Sequence, residues 1–357
     1  MHFVNGVDFM ESGHRSLIEM SSTSRWIPIV VWMLASIPIS GATAGVTLRG
    51  RITAERAAAS IQIVLQEPGI KNLEAARVDT DKDGNYMIRG LQKRSYVLIT
   101  LIDGKKQDRQ NIEIVCRNDS TVSKDFHFGR IPSTLILRFP AEDPDFADVA
   151  ELGSSYPRDI VREFEKARQD HLNGKFSRAI EKLESIATRV PDFYPAHARL
   201  GLIYQQQGCF EDSASEYARA SAISPRSSQP LLNMASVQLQ AANAPGVRDT
   251  MVARALETLA KALAIKPRSA LAYCLSGEAH AMVNAYPDAE RDFKHALELD
   301  EQLGAARLML ADVYIRQENW KAAIEPLTQY LMDSPFAQDR AVVKEMLENA
   351  LSKAQKR

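Results

Sequence analysis

The chain has 357 residues, about two or three times the length of a typical domain, which predicts more than one folding unit. Its 44 basic and 45 acidic residues nearly cancel, so we expect no long-range attraction to nucleic acid or to anionic membranes. Cys116, Cys209 and Cys274 lie far apart with no CxxC pair. This spacing predicts neither a disulfide framework nor a zinc site, and we interpret all three as packing or surface thiols.

An apolar run of fourteen residues occupies positions 26–39, with Arg25 before it and Ala42-Thr43-Ala44 after it. This order is typical of a secretory signal peptide cleaved after Ala44, and the run is short for a membrane span. We therefore predict a leader over 1–44, with Met20 as an alternative start. The mature protein is expected to be periplasmic, envelope-associated or secreted, without a membrane span. The alternatives are an uncleaved anchor and a buried hairpin.

Residues 45–139 alternate short apolar segments with turn residues, the pattern of half-buried strands. Asp83-Gly84 and Asp103-Gly104 are strong hairpin signals between them. The pattern predicts an all-β, antiparallel sandwich of about seven strands. The candidate strands are Val46–Thr53, Ser60–Gln66, Ala76–Thr80, Tyr86–Gly90, Ser95–Ile102, Gln110–Val115, Ser123–Phe128 and Thr134–Phe139.

The stretch from Thr80-Asp81-Lys82-Asp83-Gly84-Asn85-Tyr86 through Gly90-Leu91, followed by Tyr96, resembles the carboxypeptidase regulatory-like domain. That family has a transthyretin-like sandwich, and Leu48–Ile52 is similar to its first strand. The resemblance implies an accessory domain without a catalytic site, which serves as a spacer, a stabiliser or a binding surface.

Three alternating aspartates, Asp79, Asp81 and Asp83, resemble the start of a calcium-binding EF-hand loop. Such a loop needs a Glu at its twelfth position, where this chain has Gly90. We therefore interpret the aspartates as turn-forming residues. A linker with further turn formers covers 140–157, and we expect it to join two independent modules.

Downstream, prolines mark a repeat. Pro191 and Pro225 are 34 residues apart, and Pro267 and Pro335 are separated by twice that distance. The larger gap between Pro225 and Pro267 predicts an eight-residue insertion in the third repeat. The insertion, near residues 241–246, is either a second contact site or a tolerated surface loop.

The residues between these prolines keep one register. The segment Leu200-Gly201-x2-Tyr204 recurs as Leu310-Ala311-x2-Tyr314, and Gly277, Ala289, Phe293 and Ala296 occupy the related positions of the fourth repeat. This 34-residue pattern resembles the tetratricopeptide (TPR) repeat, a pair of antiparallel helices. It predicts an all-α solenoid over 158–354 with five helical hairpins and a capping helix over Asp339–Ala354. The small residues are expected to let paired helices approach closely.

None of the phosphate-loop, dinucleotide-binding, hydrolase-elbow or zincin motifs occurs in the sequence. The fragment His295-Ala296-Leu297-Glu298 has a metal-ligand spacing but falls inside a repeat helix, and no third ligand is placed near it. The sequence therefore predicts a protein that is not an enzyme and has no catalytic residues, cofactor or metal.

The repeats instead predict binding of a protein or peptide partner. The resemblance implies groove residues at repeat positions 2, 5, 9, 12 and 13. Their mixed amide, apolar and acidic character suggests a neutral or basic peptide. A tail clamp for a C-terminal carboxylate is not expected, because Asn233 alone matches it. The candidate groove residues are Arg168, His171, Gln205, Gln206, Asn233, Ser236, Glu278, Asp312 and Arg316, together with Ala198, Leu202, Leu232, Leu239, Cys274, Leu308 and Ile315.

These expectations together describe a non-catalytic, exported bacterial adaptor. The alternative is an accessory subunit of an envelope polysaccharide or peptidoglycan enzyme, with glycan bound by the sandwich. Exposed aromatic side chains on one sandwich face would favour that alternative, whereas we interpret Tyr86 and Tyr96 as core residues.

Overall fold

The computed structural model describes residues 45–54, 60–68, 73–117, 120–124, 126–128, 156–244, 246–334 and 339–355. All of them belong to one compact unit that spans Thr43–Arg357. The predicted leader, the predicted strand Thr134–Phe139 and nearly all of the predicted linker lie outside the described residues. Within the described residues, no helix is both long and apolar enough to cross a membrane.

The N-terminal region consists of two four-stranded sheets. In one sheet the strand order is β3-β2-β5-β6 and every pairing is antiparallel. In the other, β4 pairs with β1 antiparallel, while β7 and β8 both pair with β1 in parallel. The strands are β1 (Val46–Ala54), β2 (Ile61–Gln66), β3 (Glu74–Asp79), β4 (Asn85–Leu91), β5 (Ser95–Ile102), β6 (Lys105–Glu113), β7 (Thr121–Ser123) and β8 (Phe126–Phe128).

The prediction of a wholly antiparallel sandwich is wrong at one place. Where the sequence predicted a single strand over Ser123–Phe128, two short strands run parallel to β1. The chain leaves β6 at the edge of the first sheet and reaches the second sheet through the buried residues Ile114 and Val115. A hairpin joins antiparallel neighbours, whereas a crossover between sheets allows β7 and β8 to run parallel to β1.

Two of the three aspartates before β4, Asp81 and Asp83, form a turn as predicted, whereas Asp79 is the last residue of β3 and accepts a hydrogen bond from Gln62. Asp81 Oδ1 accepts hydrogen bonds from the backbone N–H groups of Asp83 and Asn85 at 2.9 and 2.8 Å, and its Oδ2 accepts from the Asn85 amide. The interpretation of Tyr86 and Tyr96 as core residues is also confirmed, because both side chains are buried. The Tyr86 hydroxyl donates to the carbonyl of Lys124 at 2.7 Å and so ties β4 to the end of β7.

Eleven helices follow in the described residues, and they confirm the predicted solenoid of five hairpins and a cap. The hairpins are α1 (Arg158–Leu172) with α2 (Phe176–Arg189), α3 (Tyr194–Gln206) with α4 (Phe210–Ile223), α5 (Gln229–Ala241) with α6 (Arg248–Ile265), α7 (Ala270–Met282) with α8 (Tyr286–Leu299), and α9 (Gly304–Arg316) with α10 (Trp320–Asp333); α11 (Arg340–Gln355) is the cap. In α11 the buried face is Val343, Met346 and Ala350, whereas Leu351 is exposed.

Two glycines show why small residues are needed inside the hairpins. A Cβ atom added to Gly201 would lie 2.8 Å from the ring of Tyr217, and one added to Gly277 would lie 2.7 Å from the ring of Phe293. Both rings are fully buried. The glycines therefore let each first helix rest directly on an aromatic ring of its second helix, as the repeat register predicts.

The predicted insertion in the third repeat is divided between a loop and a helix. The segment between α5 and α6 covers 242–247, and α6 has 18 residues where α4 and α8 have 14. Ala242 is fully buried, while Asn243 and Gly246 are exposed. Of the four residues by which α6 exceeds α4 and α8, Arg248, Asp249 and Thr250 are exposed, and Met251 packs partly against the apolar cluster of this hairpin.

The expectation of two independent modules is wrong, because the sandwich and the first two repeats share one apolar core. A single cluster of buried side chains runs from Leu48 and Ile114 in the sandwich to Leu183 and Phe193 in the repeats. The two parts are also linked by a disulfide between Cys116, which follows β6, and Cys209 at the turn between α3 and α4.

Candidate functional site: the first-helix groove

The candidate binding surface is formed by the first helices of the hairpins, α1, α3, α5, α7 and α9, and we call it the first-helix groove. In each repeat, positions 5, 9, 12 and 13 lie on one face of such a helix, over three successive turns. Of the nine polar groove candidates, two are exposed (Gln206, Arg316), three are half-buried (Arg168, Glu278, Asp312) and four are buried (His171, Gln205, Asn233, Ser236).

The N-terminal part of the groove holds a chain of polar contacts between neighbouring helices. His171 Nε2 lies 2.8 Å from Gln206 Oε1, which joins α1 to α3. The Gln205 amide donates to Ser236 Oγ at 3.5 Å, which joins α3 to α5, and Gln240 donates to the same oxygen at 3.4 Å. Amide and hydroxyl groups in this arrangement can exchange internal hydrogen bonds for bonds to an extended peptide backbone.

Two further candidates bond within their own helix. Arg168 donates to Glu165 Oε2 at 3.1 Å, and Asn233 Oδ1 accepts from the Gln229 amide at 3.1 Å. The structure thus brings His171, Gln205, Gln206 and Ser236 into contact with a neighbouring helix, whereas Arg168 and Asn233 bond locally.

The C-terminal part of the groove is acidic. Asp312 Oδ2 accepts from Arg316 Nε at 2.6 Å on α9. Burial raises the pKa of the Asp312 carboxyl, and the Arg316 guanidinium opposes this rise. Glu278 on α7 is half-buried, and burial raises its pKa to about 8. The two acids occupy position 9 of adjacent repeats.

Most of the apolar groove candidates have side chains that are buried from solvent. Leu202, Leu232, Leu239, Cys274 and Leu308 are all buried, as is Ala198. Ile315 is half-buried. A ligand in the groove would therefore meet mainly the polar side chains, with apolar carbon packed tightly beneath them.

Sequence reasoning missed a second cluster, where the sandwich meets the repeats. Cys116 and Cys209 form a disulfide with their Cα atoms 5.4 Å apart, so the interpretation of these two as plain thiols is wrong, while Cys274 is free and buried. The backbone continues the contact, since the N–H of Ser123 donates to the carbonyl of Gly208 at 3.0 Å. Spacing along the chain could not reveal the pair, because its members are 93 residues apart.

Charged groups surround this disulfide. Arg117 donates to Glu216 Oε1 at 2.6 Å, and His197 Nδ1 lies 2.7 Å from Glu216 Oε2. The backbone N–H of Arg117 also donates to Asp212 Oδ2 at 2.9 Å. Burial raises the pKa of Glu216, but the hydrogen bonds from His197 and Arg117 outweigh it and leave the pKa below its ordinary value. We call Arg117, His197, Asp212 and Glu216 the interdomain cluster.

Neither candidate for metal binding forms a site with free ligands. Cys116, Cys209 and Asp212 are close enough to share an ion, but the two sulfurs are bonded to each other. His295 and Glu298 form a surface pair on α8, with His295 Nδ1 2.9 Å from Glu298 Oε2, and the His295 ring packs edge-on against Tyr273. The fragment that contains them is thus part of the repeat surface.

Within the part of the chain that the structure describes, the contacts of the sandwich with the repeats lie mainly outside the first-helix groove. The Ser177 hydroxyl on α2 donates to Glu113 of the sandwich, and Ser123 contacts the α3–α4 turn. Arg117 bonds to Asp212 and Glu216 on α4. The Arg117 guanidinium also stacks over the Tyr204 ring, which belongs to α3. The attachment is therefore mainly to second helices and to the turn of one hairpin.

Comparison with solved structures finds proteins that match about half of this chain. A TPR protein from the thermophile Thermus thermophilus superposes with a TM-score of 0.45 and 18% identity, covering 54% of this chain and 98% of that one. PilW, described as a type IV pilus biogenesis factor, gives a TM-score of 0.47 and 20% identity over 56% of this chain and 89% of its own. A fragment of MamA from Desulfovibrio magneticus RS-1 gives 0.44 and 16% over 51% and 98%.

Among curated proteins, the Protein SGT1 homolog of Bos taurus is 37% identical over 75 residues, which are 21% of this chain. The chain spans only 22% of the length of this relative. Residues 173–228 and 283–339 match the family model described as tetratricopeptide repeat. The matched segments cover α2 to α4 and α8 to α10, and the helical half of the chain therefore contains tetratricopeptide repeats.

Proposed function

We propose that the chain is a non-catalytic, exported scaffold that holds a protein or an extended peptide in the first-helix groove. The observation that carries this proposal is the placement of the sandwich. Among the described residues, its contacts with the repeats fall mainly on second helices and on one turn, which supports a role of the polar row of the first helices in holding a partner. Stacked repeat helices provide an extended surface of the kind that binds peptides.

Export is supported by the disulfide between Cys116 and Cys209. Disulfides persist in secreted and periplasmic proteins and are rare in a reducing cytosol. This agrees with the predicted signal peptide over 1–44, and the two arguments are independent because one concerns the leader and the other the folded domain. N-terminal sequencing of the protein from an envelope fraction tests the proposal, with cleavage after Ala44 as the expected result. Retention in the cytosol with an intact leader would contradict it.

The resemblance of the sandwich to the carboxypeptidase regulatory-like domain remains part of this proposal, with the domain acting as a stabiliser of the first two repeats. The shared core and the interdomain cluster support that role. The glycan-binding alternative gains no support from the described residues, because Tyr86 and Tyr96 of the sandwich are both buried.

Photocrosslinking tests the groove directly. Benzoylphenylalanine is placed in the full chain at position 206 or 316, where Gln206 and Arg316 are exposed on first helices. Matched controls carry it at position 257 or 298, where Glu257 and Glu298 are exposed on second helices. We expect a discrete adduct with an envelope protein from the first-helix positions and none from the controls. Equal labelling from all four positions, or none from any, would refute the groove.

A further inference from the structure

Glu278 is unusual among the half-buried and buried acids of the repeats. It lies on α7 one turn after the fully buried Cys274, and its own side chain is half-buried. Within the described residues, no hydrogen bond or ion pair engages its carboxyl group, and burial raises its pKa to about 8. A carboxyl group that is shielded from water and lacks a partner is costly, and such groups in native proteins call for an explanation.

Other buried acids of the repeats have partners. Glu216 bonds to Arg117 and His197, Asp292 lies 2.9 Å from His280 Nδ1, and Asp312 accepts from Arg316. Each of these pairs places a group that is, or can become, cationic against the acid. Glu278 therefore differs in that no cation of the described residues is placed against it.

The neighbouring helices do not supply that cation. On α9, Arg316 is already held by Asp312 at 2.6 Å. On α5, Ser236 and Gln240 bond to each other at 3.4 Å and carry no charge. On α7 itself, Cys274 is a buried thiol whose pKa is raised by burial and by the nearby Glu278. Among the described residues, these three helices therefore place no free cationic group against the Glu278 carboxyl.

We propose, building on the proposed groove function, that Glu278 is a specificity subsite for a lysine or arginine side chain of the bound peptide. Lysine and arginine present several N–H donors to a carboxylate, and such charge-assisted bonds are strong when shielded from water. A metal ion fits less well, because it needs several ligands and the next acid of the groove, Asp312, is paired with Arg316. The amide and hydroxyl groups of α3 and α5 would then hold the peptide backbone on one side of this residue.

A peptide library tests the subsite on the disulfide-bonded chain covering residues 45–357. Random decapeptides, acetylated at the N-terminus and amidated at the C-terminus, are displayed and selected, so that the side chain is the only available amine. We expect the selected peptides to share a lysine or arginine at one position. Replacing that lysine by acetyl-lysine, or that arginine by citrulline, is expected to weaken binding at least tenfold.

Glu278→Gln provides the matched protein variant. It keeps the shape of the side chain and removes no internal ion pair, so the fold is expected to persist, which circular dichroism checks. We expect the variant to lose the tenfold preference for the unmodified peptide while still binding the modified one. The control Glu298→Gln, on an exposed second-helix carboxylate, is expected to leave the preference intact.

The results separate this inference from the proposed function. If selected peptides bind in the groove but show no dependence on a basic residue or on Glu278, the subsite is refuted and the groove function stands. If the library yields no peptide whose binding is blocked by bulky substitution of Gln206 and Arg316, both the groove function and the subsite fail.

Discussion

Two acids, the buried Glu216 of the interdomain cluster and the half-buried Glu278 of the first-helix groove, have opposite surroundings. Glu216 accepts hydrogen bonds from Arg117 and His197, and its pKa lies below the ordinary value. Glu278 has no such partner in the described residues, and its pKa is raised to about 8. The comparison indicates that the charge pairs at the first site stabilise the fold, whereas the second site holds a carboxyl group that no described residue pairs.

The largest expected effect comes from the disulfide. Replacing both Cys116 and Cys209 by serine opens a closed loop of 93 residues, and the chain-entropy model gives a loss of about 4 to 5 kcal/mol in unfolding free energy. Urea unfolding of the double variant and of the reduced native chain measures it. The Cys274→Ala variant is the control, since its cysteine is free. Unchanged stability on reduction would show that the attachment of the sandwich does not depend on the disulfide.

Glu216→Gln is expected to lower the unfolding free energy by about 3 kcal/mol, because it leaves Arg117 and His197 without their buried partner. The exposed Glu211→Gln, on the same helix, is the control. Since the folded pKa of Glu216 is lowered, its contribution is present above the ordinary glutamate pKa and is lost as pH falls through the folded value. A difference between variant and native chain that does not shrink on acidification would contradict this assignment.

Glu278→Gln is expected to raise the unfolding free energy at alkaline pH, whereas Glu216→Gln lowers it. Because the folded pKa is raised to about 8, the folded chain binds more protons than the unfolded one between the ordinary glutamate value and that pH. Stability of the native chain should therefore fall across this range. The variant should exceed it by about 1 to 3 kcal/mol at pH 9 and match it at pH 4, as measured by thermal unfolding. A destabilised variant at pH 9 would reveal an internal partner for Glu278.

Asp312→Asn should have the smallest effect. Its ion pair with Arg316 joins residues one helical turn apart near the surface, and such pairs contribute about 0.3 to 0.5 kcal/mol. Chemical unfolding at pH 7 measures this change. A loss above about 1 kcal/mol would place Asp312 with Glu216 as a structural acid rather than with Glu278 as a groove acid.

The sequence alone determined the two-part organisation, most strand positions and the five hairpins with their cap. It did so because each of these depends on local periodicity, such as the 34-residue spacing of Pro191 and Pro225 or the small residues Gly201 and Gly277 beneath buried rings. The groove positions also followed from this register, although the partners of their side chains did not.

Only the tertiary structure decided how the two parts are joined and how far burial shifts the pKa of the groove acids. The pairing of Cys116 with Cys209 and of Arg117 with Glu216 joins residues more than 90 positions apart, and nothing in their local sequence marks them as neighbours. Likewise, Arg316 lies one helical turn after Asp312 in the same helix, so that pair follows from local spacing, whereas the burial that raises the pKa of Glu278 depends on how neighbouring helices pack. Periodicity fixes the backbone of a repeat, whereas the disulfide and the ion pairs of the interdomain cluster depend on contacts between residues that are distant in the sequence.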